Sequence, residues 1–137
     1  MNILGIDPGR AKTGLAVLDA RGTILWRAIV PTAQLRQQLE ELVEKWPLSQ
    51  IALGHSTGSQ NAATLIRAVL EAKDSRAQLE IVDERDSTLQ ARDLYFEAHP
   101  RRGWRAVVPQ SLQNPPVPID DFAAVVLARR ALQKASA

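Results

Sequence analysis

The sequence predicts an α/β protein with a mixed five-stranded sheet flanked by helices. Its first 30 residues contain three short apolar segments separated by turn residues, which is the pattern of an antiparallel meander. Two later apolar segments alternate with helical patterns, as in parallel βα units. A content of 45% hydrophobic and 23% charged residues is that of a folded globular chain. We therefore predict the element order βββαβαβα in a single domain, residues 1–137.

The first three strands follow one another closely. Residues 2–7 and 13–19 are apolar over the length of a strand and are separated by a turn at Pro8-Gly9, so they should pair antiparallel. Residues 23–30 are rich in β-branched and aromatic side chains, which favour a third strand beside them. The chain therefore opens with a three-stranded meander.

Helices and strands alternate in the middle of the chain. Thr32 can cap a helix whose apolar residues recur at helical spacing as far as Trp46. Residues 51–54 form a short apolar strand, which we expect to run parallel to the first strand. A polar loop, residues 55–61, then leads into a helix over residues 62–73.

The last part of the chain holds one more strand and two helical patterns. The strand covers residues 79–84, and Ser87 can cap the helix that follows it. In that helix we expect three side chains to point inward, those of Leu89, Leu94 and Tyr95. Residues 99–118 contain arginine, tryptophan and several prolines, which disfavour regular structure. The final helix covers residues 120–135 and begins with two acidic residues, which the helix dipole favours.

Composition excludes several kinds of site. The chain has no cysteine, so it contains no disulfide, no thiolate zinc site and no cysteine nucleophile. Its net charge is only +2, so any affinity for nucleic acid must come from local basic patches. The longest apolar run, residues 122–128, is too short to cross a bilayer, and the first residues lack the pattern of a signal segment. We therefore expect a soluble cytoplasmic protein with no membrane partner.

Carboxylates lie at the ends of two strands and at the start of the last helix. Asp7 ends the first strand, Glu84 ends the fifth, and Asp120 begins the helix. Ligands of open α/β sheets bind at strand ends, so these acids converge if the two strands lie close and the helix starts over the same edge. An all-oxygen set of ligands suits Mg²⁺ or Mn²⁺. Two such ions, about 3.5–4 Å apart, would promote hydrolysis of a phosphodiester by water.

Three motifs occur in an order that resembles the YqgF/RuvX family: Gly5-Ile6-Asp7-Pro8-Gly9, then Asp83-Glu84-Arg85 followed by Ser87-Thr88, then residues 119–125 at the start of the last helix. The resemblance covers nearly the whole chain. That family belongs to the RuvC-like branch of the ribonuclease H fold, and its members are described as Holliday junction resolvases or as processing nucleases for ribosomal RNA precursors. The resemblance implies a Mg²⁺-dependent nuclease with three catalytic metal ligands, Asp7, Glu84 and Asp120. It leaves Asp121 as an alternative ligand.

Basic and polar residues near these motifs are candidates for binding nucleic acid. Arginine and lysine pair with phosphates, and aromatic rings stack on bases. The candidates beside the motifs are Arg10, Lys12 and Arg85, those in the polar loop are His55 and Ser56, and those in the irregular segment are Arg101, Arg102, Trp104 and Arg105. We expect a partner that is RNA or branched DNA, and we expect the irregular segment to decide which substrate is cut.

Each motif also has a simpler interpretation. An Asp-Pro-Gly sequence is a common turn, Glu84 can form an exposed ion pair, and the paired aspartates of the last helix can serve only its dipole. One alternative is therefore a ribonuclease H-like module that binds nucleic acid without cutting it. Another is a phosphate-binding protein of the actin and sugar-kinase type, although such proteins need two domains around the nucleotide. The sequence leaves open whether the protein is a monomer or a homodimer.

Overall fold

The computed structural model describes residues 1–56, 58–85, 87–99 and 118–136, which form a five-stranded sheet with helices on both faces. The strands are β1 (Asn2–Asp7), β2 (Lys12–Leu18), β3 (Ile24–Pro31), β4 (Leu48–Gly54) and β5 (Gln78–Val82). The helices are α1 (Leu35–Lys45), α2 (Ser59–Ala72), α3 (Ser87–Ala98) and α4 (Asp120–Ser136), with a 3-10 turn over Thr32–Gln34 before α1. None of these helices is both long and apolar enough to span a bilayer.

The strands lie in the order β3-β2-β1-β4-β5. The first three pair antiparallel, whereas β4 runs parallel to both β1 and β5. This confirms the predicted mixed sheet and the parallel pairing of the fourth strand with the first. The element order is βββαβαβαα, so the predicted order βββαβαβα is one helix short. Both α3 and α4 follow β5, although that order counts only one helix there.

Two strand boundaries differ from the prediction by two residues or more. β4 begins at Leu48 rather than at residue 51, and β5 ends at Val82 rather than at residue 84. The last pair in their ladder joins Gly54 to Val82, so β5 ends together with the strand it pairs with. Glu84 therefore lies in the turn after β5 and not on the strand itself.

Two side chains have roles other than those predicted. Thr32 does not cap α1, because the chain first makes a 3-10 turn and the Thr32 hydroxyl donates a hydrogen bond to the carbonyl oxygen of Gly9 at 2.7 Å. Its Oγ1 also lies 2.9 Å from the Oγ1 of Thr13, so Thr32 ties the start of α1 to the β1–β2 turn. Leu89 is 49% exposed, because α3 buries a different stripe of residues. The buried stripe consists of Ser87, Ala91, Tyr95 and Phe96.

The two faces of the sheet carry side chains of different size. The face under α1 and α2 is built from large apolar residues of the central strands. The face under α4 has small residues at its centre, where Gly5 pairs with Ala16 on one side and with Ala52 on the other. A Cβ on Gly5 would lie 2.0 Å from the carbonyl oxygen of Ala124, so only glycine lets α4 approach this closely. The last helix therefore packs directly onto the backbone of the sheet.

Candidate metal and nucleic-acid site

Asp7 is the last residue of β1, at the end of the sheet over which α4 begins. In the β1–β2 ladder it stands opposite Gly14, and a Cβ on Gly14 would lie only 1.9 Å from the carbonyl oxygen of Asp120. The first residue of α4 therefore rests directly on β2, beside Asp7. Because backbone pairing and backbone packing set both positions, the core of the fold holds Asp7 and Asp120 in a defined relation.

Glu84 reaches Asp7 across the intervening strand β4. That strand ends in Gly54, and a Cβ there would lie 2.2 Å from Oε1 of Glu84 and 2.9 Å from its carboxyl carbon. The Glu84 carboxyl group thus fills the space that a side chain at Gly54 would take. From this position it is within hydrogen-bonding reach of the Asp7 carboxyl group. Asp7 at the end of β1 and Glu84 in the turn after β5 meet because β4, the strand between β1 and β5, ends in glycine.

The surroundings of this pair oppose ionisation. Burial, followed by the charge and hydrogen bond of Glu84 and then by the charge of Asp120, raises the pKa of Asp7 from 3.8 to about 7. Burial also raises the pKa of Glu84, while the hydrogen bond with Asp7 and the charge of His55 act in the opposite direction. A hydrogen bond between two carboxyl groups exists only while one of them holds a proton. Once both are ionised, Glu84 Oε1 is shielded from solvent without a donor among the described residues, so the pair needs a proton or a cation.

Asp120 lies near this pair without joining it. Its charge acts on Asp7 through space, and its Oδ2 is 3.9 Å from the ammonium group of Lys12. In the part of the chain that the structure describes, no three acidic or histidine side chains stand close enough to hold one metal ion together. The direct contact is therefore between Asp7 and Glu84, and Asp120 is a neighbour whose charge Lys12 offsets.

Asp121, the predicted alternative ligand, has other partners in the structure. Its Oδ2 accepts a hydrogen bond at 2.6 Å from Nη1 of Arg27, and its Oδ1 accepts one at 3.0 Å from the backbone N–H of Phe122. Asp121 is only 6% exposed, and the Arg27 guanidinium also lies 4.3 Å from the centroid of the Phe122 ring. Asp121 thus fastens the start of α4 to β3. No local motif signals a pairing between residues 94 positions apart.

The structure describes five of the predicted candidates for nucleic-acid binding. Four of them are exposed: Arg10, Lys12, His55 and Arg85. Lys12 lies beside Asp120, and the charge of His55 acts on Glu84. Ser56 is half-buried, and its hydroxyl oxygen is shielded and has no hydrogen-bond partner among the described residues. The other candidates lie outside the described residues, as does most of the segment 99–118: Arg101, Arg102, Trp104 and Arg105.

Arg130 is a site residue that the sequence analysis missed. Its Nη1 donates a hydrogen bond to the carbonyl oxygen of Asp83 at 2.6 Å, and its Nη2 donates one to that of Arg85 at 2.5 Å. The backbone before and after Glu84 is therefore held by α4, the helix that begins at Asp120. The neighbouring Arg129 binds a backbone carbonyl oxygen away from the carboxylates, that of Gly22, at 3.2 and 3.1 Å. Sequence patterns are local, so they cannot reveal a contact across 45 to 47 residues.

Sequence comparisons match this chain to one family. The Tex protein YqgF-like domain matches residues 1–94. A protein of Phocaeicola vulgatus named "Putative pre-16S rRNA nuclease" is 35% identical over 97 residues, an alignment that covers 65% of this chain and 70% of the relative. The match spans β1 and the turn after β5, so it includes the segments that carry Asp7 and Glu84.

Solved structures share the fold at low sequence identity. Thermus thermophilus RuvC superposes with a TM-score of 0.62 at 15% identity, over 98% of this chain and 95% of RuvC. A Fowlpox virus resolvase solved with Holliday junction DNA superposes with a TM-score of 0.65 at 13% identity, over 98% of this chain and 99% of the resolvase. These likenesses concern the fold alone, and they confirm the predicted ribonuclease H-like architecture.

Proposed function

The chain belongs to the family of the Tex protein YqgF-like domain, and on this premise we propose that it is a metal-dependent nuclease that hydrolyses phosphodiester bonds in structured nucleic acid. The observation that carries the proposal is the contact between the Asp7 and Glu84 carboxyl groups. Their shared site is partly buried, raises both pKa values and leaves one carboxylate oxygen without a donor from the described part of the chain. A divalent cation bound between the two carboxylates would offset the cost of burying their charge, lower both pKa values and bind the oxygen that lacks a donor.

The donor chemistry of the site fits Mg²⁺ or Mn²⁺. We propose that Asp7 and Glu84 hold the ion together with Asp120, which exchanges its ion pair with Lys12 for the cation. Oxygen ligands of this kind are those that both ions prefer. When bound, the ion offsets charge on the phosphate and makes water more acidic.

The protein's own residues supply position and charge around this site. The core holds Asp7 on β1, Gly54 leaves room for Glu84, and Arg130 holds the turn on both sides of Glu84. Lys12, once released from Asp120, is free to pair with a substrate phosphate, as is the exposed Arg10. The backbone therefore fixes the acids, while exposed basic side chains position the substrate strand.

The substrate that the comparisons favour is a ribosomal RNA precursor. The relative from Phocaeicola vulgatus is named for pre-16S rRNA, and it is much closer in sequence than the resolvases that act on Holliday junctions. Four-way DNA junctions are the second substrate to test, because the fold is shared with those enzymes.

A cleavage assay tests the proposal directly. The protein is incubated with a labelled pre-16S rRNA fragment or a four-way DNA junction, in Mg²⁺ or in Mn²⁺. We expect cleavage of at least one substrate, and a loss of at least about 100-fold in Glu84→Gln, because glutamine lacks the negative charge that would hold the divalent cation. Glu97→Gln, at an exposed position of α3, is the matched control and should cleave normally.

The assay also separates the alternatives. Binding of either nucleic acid by the wild-type protein without turnover in both metals would favour the non-catalytic module. Undiminished cleavage by Glu84→Gln would show that the carboxylate pair is not the active site.

Arg130→Gln is expected to weaken Mg²⁺ binding and cleavage by about 10- to 100-fold, the range typical of residues that orient metal ligands. The variant removes both hydrogen bonds that hold the backbone around Glu84, while Glu84 itself stays. Titration calorimetry with Mg²⁺ measures the effect apart from turnover. Arg130→Lys should recover part of the affinity, because an ammonium group can reach one of the two carbonyl oxygens.

Arg129→Gln is the matched control for Arg130→Gln. It removes an arginine from the same helix and breaks bonds to a backbone carbonyl oxygen as well, that of Gly22. We expect it to lower the melting temperature and leave Mg²⁺ affinity unchanged. Equal losses of Mg²⁺ affinity in the two variants would mean that Arg130 acts only through stability.

A further inference from the structure

A cavity of about 590 Å³ opens on the α1–α2 side of the turn that follows Asp7. Its walls come from the β1–β2 turn, the start of α1 and the first two turns of α2. This volume lies within the range of about 300–1,000 Å³ that is common for small-ligand sites. None of the roles assigned above to the carboxylates uses it.

The lining suits a flat ring with polar edges. Leu35, Ala62 and Leu65 form apolar walls. Asn61 adds a side-chain amide, which offers two donors and one acceptor. Ser56 also lines the cavity, and its shielded hydroxyl has no hydrogen-bond partner among the described residues. A ligand with polar edge atoms would satisfy this hydroxyl, whereas a purely apolar ligand would not.

The cavity also has a positive charge at its edge. Arg10 lines it, is exposed, and forms no ion pair with a carboxylate of the described residues. An unpaired guanidinium is the group best suited to bind a phosphate, because it donates two parallel hydrogen bonds. The combination of apolar walls, an amide, a free hydroxyl and this cation matches a nucleotide more closely than a neutral apolar molecule.

We propose that the cavity receives one unpaired nucleotide of the substrate strand, with its base between the apolar walls and its phosphate at Arg10. This inference rests on the proposed function and names the class of substrate. Asp7 and Arg10 are three residues apart, so their Cα atoms are separated by at most about 11 Å. One strand can therefore place a phosphate at the carboxylates and a neighbouring nucleotide in the cavity.

The proposal determines which nucleic acids bind well. A base inside a continuous duplex is paired and stacked, so it enters a protein pocket only after it leaves the stack, at a cost in free energy. A loop, a bulge or a single-stranded end presents such a base without that cost. The preferred substrate is therefore a strand with an unpaired nucleotide beside the bond to be cut.

Binding of oligonucleotides that lack one base tests the proposal. The probes are a fluorescently labelled single-stranded RNA of about 12 nucleotides, the DNA of the same sequence, the fully paired duplex of each, and versions of each single strand with an abasic residue at successive positions. Binding is measured by anisotropy without divalent metal, so that no strand is cut. We expect one position at which loss of the base weakens binding about tenfold, because the strand then loses the burial of the base between the apolar walls and the hydrogen bonds of its edge. The RNA and DNA series show which sugar the site accepts.

Variants of residues that line the cavity test whether the base effect arises there. Asn61→Ala and Ser56→Ala should each reduce the difference in affinity between intact and abasic strands, because each removes one hydrogen-bond partner of the base. Gln60→Ala is the matched control, since Gln60 is the preceding residue of α2 and lines a different cavity. It should keep the tenfold difference.

Three outcomes would overturn the proposal: no position at which the base matters, a base effect that Asn61→Ala and Ser56→Ala both keep, or tighter binding of the fully paired duplex than of the single strand. If the wild-type protein still cuts nucleic acid in these cases, the proposed nuclease function stands without the cavity. A base effect that depends on Asn61, in a protein that cuts nothing, supports the cavity and removes the nuclease function.

Discussion

Asp7→Asn is expected to stabilise the metal-free protein at neutral pH and at the same time to abolish cleavage. The pKa of Asp7 is raised to about 7, so above that pH the folded protein carries a charge that burial and Glu84 oppose. Asparagine has the same shape without the charge, and its amide can donate to the shielded Oε1 of Glu84. The free energy of unfolding should rise by on the order of 2–4 kcal/mol, which raises the melting temperature of a chain of this size by roughly 10 °C.

The stabilisation of Asp7→Asn relative to wild type should increase with pH. The folded pKa of Asp7 lies above its ordinary value of 3.8, so the protonated group favours folding. This contribution is complete below about pH 4 and is lost as the pH rises through about 7. The free energies of unfolding of wild type and Asp7→Asn should therefore be similar near pH 4 and should diverge by pH 8.

Asp19→Asn is a control with the opposite sign. The Asp19 carboxylate accepts hydrogen bonds from the backbone N–H groups of Thr23 and Arg21, and these lower its pKa. Its contribution to stability is present above about pH 4 and is lost as the pH falls through the lowered pKa. This variant should therefore be less stable than wild type at neutral pH, and the difference should shrink in acid.

Thermal melts in the presence of a chelator, and then in Mg²⁺, measure these effects. Mg²⁺ at 100 times its dissociation constant should stabilise the wild-type protein by about 2.7 kcal/mol and should leave Asp7→Asn unchanged. If Asp7→Asn melts below wild type at pH 8 without metal, the two carboxylates do not oppose each other in the way that the structure indicates.

The fold could be predicted from the sequence because its signals are local. Apolar runs of strand length, a Pro-Gly turn and helical spacing each arise within one segment, and the order of segments then favours a mixed sheet. The same locality explains the errors. Whether Thr32 caps a helix or binds Gly9 depends on the turn that precedes it, and whether Leu89 is buried depends on which face of α3 meets α4.

The site was only partly accessible to the same reasoning. Asp7 and Glu84 attract attention because each lies at or just beyond the end of a strand, but their contact requires Gly54 on the strand between them. The predicted alternative ligand Asp121 looks equivalent to its neighbour in sequence, and only the fold shows that Arg27 holds it. Long-range pairs of this kind leave no periodic signal, so the sequence indicates which residues to examine and the structure shows how they meet.

Gly54→Ala is expected to lower mainly the activity and Gly5→Ala mainly the stability, although both add one methyl group to a central strand of the sheet. At Gly54 the three atoms nearest to the new Cβ all belong to the flexible Glu84 side chain, whose Oε1 would lie 2.2 Å away, and that side chain can move aside. We expect cleavage to fall by at least about 100-fold while stability changes by about 1 kcal/mol or less. At Gly5 the new Cβ would lie 2.0 Å from the backbone oxygen of Ala124 and 3.1 Å from the Cβ of Ala128, so the whole helix α4 must move. We expect a loss of at least about 3 kcal/mol.

Chemical denaturation, Mg²⁺ calorimetry and cleavage, measured on both variants, test this contrast. Gly58→Ala is the stability control, since a Cβ there meets no atom of a non-neighbouring described residue within 4 Å. Displacing Glu84 also removes one cause of the raised pKa of Asp7, so the stability of Gly54→Ala should depend less on pH between 4 and 8 than that of wild type. A Gly54→Ala protein that cleaves and binds Mg²⁺ normally would mean that Glu84 does not need its place over β4. In that case the missing side chain of Gly54 would have no part in bringing the two acids together.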